Sequence, residues 1–172
     1  VFDLKRNNIN GGSVQYFICK NNSKYKTNHF IIDKIINDEK KMKLETKKTY
    51  SKFFNDINRI KYHVLKLLNL ITSKNKTIHG YGASTKGNVL LQYFDINQKY
   101  IKFIADRNPN KYNHYTPGNK IKIISEKKSR KLFPDYYFIL PWHFKNEILL
   151  REKNIRKQGC KLIFPLPKLT IH

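Results

Sequence analysis

From Lys76 onward short apolar runs alternate with helical stretches, and this alternation limits the possible folds more than any other feature. Residues 77–81, 101–106, 121–124, 136–140 and 160–164 read as strands. The run Tyr136-Tyr137-Phe138-Ile139-Leu140 has no polar alternation, as a strand covered on both faces requires. Residues 87–94 and 144–158 read as helices, and Gly159 is well placed to end the second. Strands separated by helices pair in parallel, because each helix carries the chain back across the sheet. The expected architecture is α/β: a doubly wound, mostly parallel five-stranded sheet.

The first part of the chain has a different rhythm. Residues 14–19 (VQYFIC) read as an N-terminal strand, and a polar break follows at 21–28. Residues 29–71 carry a helical pattern. Phe53, Ile57, Ile60, Val64, Leu67 and Ile71 recur at spacings of three and four, marking one apolar stripe on a long helix. The Lys-rich stretch 40–48 reads as the solvated start of that helix or of one before it. Three segments result: a connecting piece at 1–13, a strand and helical region at 14–75, and a sheet region at 76–172.

Composition narrows the function classes. The chain has 172 residues, enough for a real core, and 40% are hydrophobic, which argues against disorder. No apolar run approaches the roughly 20 residues of a membrane span. Residues 1–10 lack the basic-then-apolar pattern of a secretion signal, so the reading is cytoplasmic. The chain opens on Val1, which fits a segment excised from a longer polypeptide. Cys19 and Cys160 belong to no CxxC pattern and read as free thiols. No HxxH or HExxH spacing occurs, so no metal site is expected.

The formal net charge is +23. A polyanionic partner would explain it, but such a footprint is normally localised, and here the lysines are spread over every segment. Abundant Lys, Asn, Ile, Tyr and Phe also fit an AT-rich coding sequence. Nucleic acid is therefore the weaker reading.

Four segments carry residues suited to chemistry. Gly80-Tyr81-Gly82-Ala83-Ser84-Thr85-Lys86-Gly87-Asn88 joins the first strand of the sheet to its helix. Glycines there allow a tight turn, and the free amides of a helix start favour an anion. The spacing departs from the dinucleotide fingerprint, which would place a third glycine at Thr85, and from the P-loop, since Asn88 and Val89 follow Gly87. A small-residue turn packing helix on sheet explains the glycines equally well. Asp106 ends the second strand, where it would accept from ribose hydroxyls or simply start a turn with Asn108 and Pro109. Pro141-Trp142-His143-Phe144 follows the fourth strand. Trp142 would stack on a base or sugar, and His143 would contact phosphate or act as acid or base; capping and packing are the alternatives. Asn10-Gly11-Gly12-Ser13 makes a flexible turn before the first strand.

Taken together, GYGASTKGN, DRNPNKYNHYTPG, PDYYFILPWHF and KQGCKLIFPLP stand in the order and approximate spacing of one family. The chain resembles the C-terminal domain of SAM-dependent C-methyltransferases acting on nucleotide-linked deoxysugars. INGGSVQYF resembles the HGGS-containing segment that opens that domain. The resemblance implies a Rossmann-like domain whose loops hold the nucleotide-sugar. Gly11, Gly12, Ser13, Tyr81, Gly82, Ala83, Ser84, Lys86, Asn88, Asp106, Arg107, Asn108, Lys111, Trp142 and His143 would then contact it. Arg107, Lys111 and Lys86 suit a diphosphate.

S-adenosylmethionine and a zinc domain would belong to upstream units in cis or trans, with no cofactor on this segment. Val1–Asp3 would then be the tail of the upstream domain's last strand.

The family's HGGS histidine is the candidate base that deprotonates the carbon beside the sugar's keto group. Asn10 stands there instead, and a carboxamide cannot take that proton near neutral pH. Asn10 would instead donate to an enolate oxygen or sugar hydroxyl, which implies a different methyl acceptor or a base drawn from the upstream domain. His143 is a separate catalytic candidate from its place after the fourth strand. Two other readings stay open: a nucleotide- or NAD-binding module, and a basic nucleic-acid binder.

Overall fold

The computed structural model describes residues 1–172. They divide into two compact units, Val1–Ile57 and Asn58–His172.

In the first unit β1 (Asp3–Asn7) pairs antiparallel with β2 (Ser13–Phe17), with Leu4 opposite Tyr16. Sequence pattern locates β2 but misses β1, because DLKRN holds a single apolar residue, Leu4, which is buried. The hairpin connection is a 3-10 turn over Ile9–Gly11, with Asn10 at φ 55°. α1 (His29–Met42) starts where the Asn28 side chain accepts from the Ile31 amide. It ends at Lys43 in the left-handed region, and α2 (Lys47–Ser73) begins four residues later. The helical stretch is thus two helices, and the Lys-rich 40–48 spans the end of the first and the start of the second. The apolar stripe also shifts: Val64, Leu68 and Ile71 are the buried residues of α2, whereas Phe53 is 66% exposed. Periodicity shows which residues share a face; burial further requires an element packed on that face.

The second unit is built on a six-stranded sheet in the order β5-β4-β3-β6-β7-β8. Its strands are β3 (Ile78–Tyr81), β4 (Ile104–Asp106), β5 (Ile123–Ser125), β6 (Tyr136–Ile139), β7 (Lys161–Phe164) and β8 (Thr170–Ile171). β3 pairs in parallel with β4 and β6, β4 with β5, and β6 with β7. The expected five parallel strands are all present. The sixth, β8, runs antiparallel to β7, and with two residues it is too short to leave a pattern in sequence.

α3 (Thr85–Phe94) follows β3 and α4 (Glu126–Lys131) follows β5. The helix expected over 144–158 is instead a 3-10 turn at Trp142–Phe144, then α5 (Lys145–Arg151) and α6 (Lys153–Lys157). The break falls at Glu152, whose backbone leaves helical angles (φ −94°, ψ 19°) where its side chain enters the interior. The core includes Tyr81, Tyr137, Ile139, Ile148, Leu162 and Phe164. No helix is long and apolar enough to cross a membrane.

The chain builds β4 and β5 on one side of β3 and then returns to lay β6 on the other. At such a reversal the loops beyond the two diverging strands part, and a crevice opens outside their carboxyl ends. The site lies at this crevice.

Candidate functional site

Three connections meet there: 82–84 after β3, the turn at Pro109–Lys111 after β4, and Pro141–Phe144 after β6. The first is shaped by steric need. Gly82 sits at φ 80°, and a Cβ on it would lie 2.8 Å from the Pro141 ring. Ser84 caps α3, its hydroxyl accepting from the Gly87 amide at 3.0 Å. That bond starts the helix at Thr85, two residues before the expected Gly87. Gly87 in turn allows α3 to touch Leu140, since a Cβ there would approach the Leu140 Cβ to 2.5 Å.

Asp106 ties the first connection to the second. One carboxylate oxygen accepts from the Ala83 amide at 2.7 Å, the other from the Asn108 amide at 2.8 Å. Lys111 completes the tie, donating to the Ala83 carbonyl at 2.7 Å and lying 3.4 Å from Asp106. The acid expected to meet a ribose is therefore already engaged with backbone, and it fixes the loop that borders the crevice.

Around these connections are two cavities. The larger, about 370 Å³, is bounded by Tyr81, Asp106, Lys111, Glu126, Phe144 and Arg151 among others. Gly82, Ala83, Ser84, Arg107 and Asn108 also border it. The smaller, about 270 Å³, shares Ala83, Ser84 and Lys111 and adds Asn88, Thr116 and Pro117. Asn88 has a buried side-chain oxygen with no hydrogen-bond partner, an acceptor site that a ligand's donor would satisfy.

Trp142 and His143 border neither cavity. Trp142 packs on the core cluster, and within this turn it is Phe144 that borders the larger cavity. The His143 ring lies against Phe144, centroids 4.4 Å apart, with Nδ1 buried and unpartnered. Burial, with the Lys86 charge adding to it, holds its pKa below the usual imidazole value. Neutral imidazole is thus the resting form near pH 7. Asn10, Gly11, Gly12 and Ser13 belong to the first unit, where Ser13 donates from its hydroxyl to the Ile9 carbonyl at 2.9 Å across the hairpin turn.

Sequence reading missed a charged wall. The Tyr81 hydroxyl donates to Glu152 at 2.6 Å and accepts from Arg151. Arg130 donates to both Glu152 oxygens, at 2.6 and 3.1 Å, and to Glu126 at 2.9 Å. Burial alone would raise the Glu152 pKa, but the Arg130 and Tyr81 hydrogen bonds together outweigh it and keep it low. Burial and the bond to Glu152 push the Tyr81 phenol far above its ordinary value, so it stays protonated. A signal existed: Glu147 and Arg151 are four apart on α5, and Glu126 and Arg130 four apart on α4. The partner across the fold was invisible.

In open α/β sheets of this kind, the crevice at the reversal point is where ligands usually bind. The chain belongs to the C-methyltransferase C-terminal domain family, whose model matches residues 8–167. It is also similar to the C-methyltransferase NovU of Streptomyces niveus, 27% identical over 168 residues. That match covers 98% of this chain and 40% of NovU, so the chain spans about two fifths of that relative's length.

Proposed function

We propose that this chain is the acceptor-binding part of a SAM-dependent C-methyltransferase, and that its Rossmann-like unit holds a nucleotide-linked sugar. The observation that carries this is the crevice itself. Asp106 and Lys111 lock the Gly82–Ser84 loop, and Arg107, Lys111 and Arg151 border the same cavity. A rigid loop leading into the start of α3, with cations beside it, suits a diphosphate. Tyr81, Phe144 and the polar groups of Asn88 and Thr116 would complete recognition of sugar and base.

The pocket's chemistry speaks against S-adenosylmethionine at this point. That cofactor brings a sulfonium cation and ribose hydroxyls that seek an acidic acceptor. Asp106 is committed to two amides with Lys111 beside it, and the cavity's other carboxylates, Glu126 and Glu147, pair with Arg130 and Arg151. We therefore assign the methyl donor to a methyltransferase domain outside these residues, in the same polypeptide or another. In this reading the proton acceptor is a group other than the Asn10 carboxamide.

The test is calorimetric titration of the chain with dTDP, a dTDP-deoxysugar, S-adenosylmethionine and NAD. The dTDP compounds should bind, and Lys111→Ala should weaken them by about tenfold, the loss of roughly one charge-assisted contact. Binding of NAD or S-adenosylmethionine with none of the dTDP compounds would overturn the assignment.

A further inference from the structure

A third cavity, about 830 Å³, opens beside α4, α5 and α6 and includes none of the Gly82–Ser84 loop. Its size suits a small organic ligand. Lys127, Arg130, Lys131 and Arg151 border it, against one carboxylate, Glu152. That carboxylate is buried and pairs with Arg130, as Glu126 does, so the rim cations left without an ion pair are Lys127 and Lys131.

The choice of cation is informative. Of 35 basic residues only six are arginine, yet Arg130, Arg151 and Arg156 all fall on α4–α6. A composition this rich in lysine keeps arginine where a forked donor is needed, for ion pairs or for phosphate. Arg130 commits Nε and Nη2 to Glu152 and Glu126, which leaves the two N–H groups of Nη1 for another acceptor.

Phe133 supplies the second, independent observation. It lies on the rim of this cavity, 69% exposed, at φ 45°. The left-handed position after a helix normally goes to Gly or Asn, because a bulky side chain is strained there. A large ring that is both strained and unburied is explained by neither packing nor backbone preference. Beside a cationic cleft it offers a stacking face to a planar base.

We propose that this cleft is a nucleotide-binding site separate from the acceptor crevice, with the cations holding phosphate and Phe133 stacking on the base. It does not depend on the acceptor reading. Arg151 borders both cavities and is left out of the test for that reason.

The whole chain, labelled with nitrogen-15, would be titrated with ADP and with inorganic pyrophosphate. Amide shifts should gather at residues 127–133 and 154–158 for both. The exposed pair Lys127→Glu and Lys131→Glu should weaken both probes by about tenfold or more. Phe133→Gly relieves the backbone strain while removing the ring. It should hold or raise thermal stability, weaken ADP by about tenfold, and leave pyrophosphate unchanged. Shifts confined to 82–88 and 106–111, or ADP affinity unaltered by Phe133→Gly, would overturn the site.

Discussion

His79 shows how one buried ring sets a pH dependence. It sits inside β3 at 3% exposure, with Nδ1 2.8 Å from the Ser129 hydroxyl, which meets the Tyr137 hydroxyl at 2.9 Å. Burial lowers its pKa from 6.5 to about 4. Above pH 6.5 both folded and unfolded chains hold the ring neutral, and it contributes no slope. As pH falls through 6.5 the unfolded chain takes up a proton that the folded chain refuses, so stability drops until the folded ring also titrates near 4. The loss amounts to about 3 kcal/mol. His79→Asn keeps an acceptor for Ser129 but cannot titrate in this range. Urea unfolding at pH 7 and pH 4 should therefore show a smaller fall for the variant, by about that amount. Equal falls would show that the ring is protonated in the folded state. The sequence placed this histidine inside a strand correctly, but its partner Ser129 is 50 residues away.

At the scale of elements, the glycines separate two reasons for having no side chain. Gly87 lies in α3 on ordinary helical backbone, yet a Cβ would meet the Leu140 Cβ at 2.5 Å. Gly159 lies at φ 102° with open space around it, and a Cβ there would find nothing within 4 Å. Gly87→Ala should cost about 1–3 kcal/mol by overpacking, despite the better helix propensity of alanine. Gly159→Ala should cost roughly 1 kcal/mol from backbone strain alone. Denaturant midpoints would rank the two, and a stabilised Gly87→Ala would mean that α3 can move off the sheet. This contrast also explains what the sequence could convey. The strands of the sheet were legible because burial on both faces leaves continuous apolar runs. The Gly82–Ser84 turn was legible from its small residues, though not that Gly87 packs on Leu140. β1, β8 and α4 were not, because they are short, polar or at an edge. The wall of Arg130, Arg151 and Glu152 was equally hidden, since its charges read individually as ordinary surface residues of two helices.

The whole molecule distributes its burial unevenly between its two units. Within residues 1–57 only Leu4 and Ile35 are buried apolar side chains, whereas all the others belong to residues 58–172. Ordering a residue costs about 1–2 kcal/mol of backbone entropy, and two buried side chains return only a few kcal/mol. A chain of residues 1–57 alone therefore lacks the apolar burial to fold. Residues 58–172 keep the complete sheet, the buried stretch of α2 with Val64, Leu68 and Ile71, and every residue of the crevice. The high positive charge adds self-repulsion to any fragment, so both pieces belong in moderate salt. Expressed separately, residues 58–172 should unfold cooperatively, with a Tm within about 10 °C of the full chain, a loss of no more than about 2 kcal/mol. Residues 1–57 should give the circular dichroism of an unfolded chain. The larger fragment should also retain dTDP affinity, since its crevice is intact. If it unfolds without residues 1–57, the first unit supplies stability that its own sparse burial does not reveal. If it folds but loses dTDP, the crevice of residues 58–172 is not by itself the acceptor site.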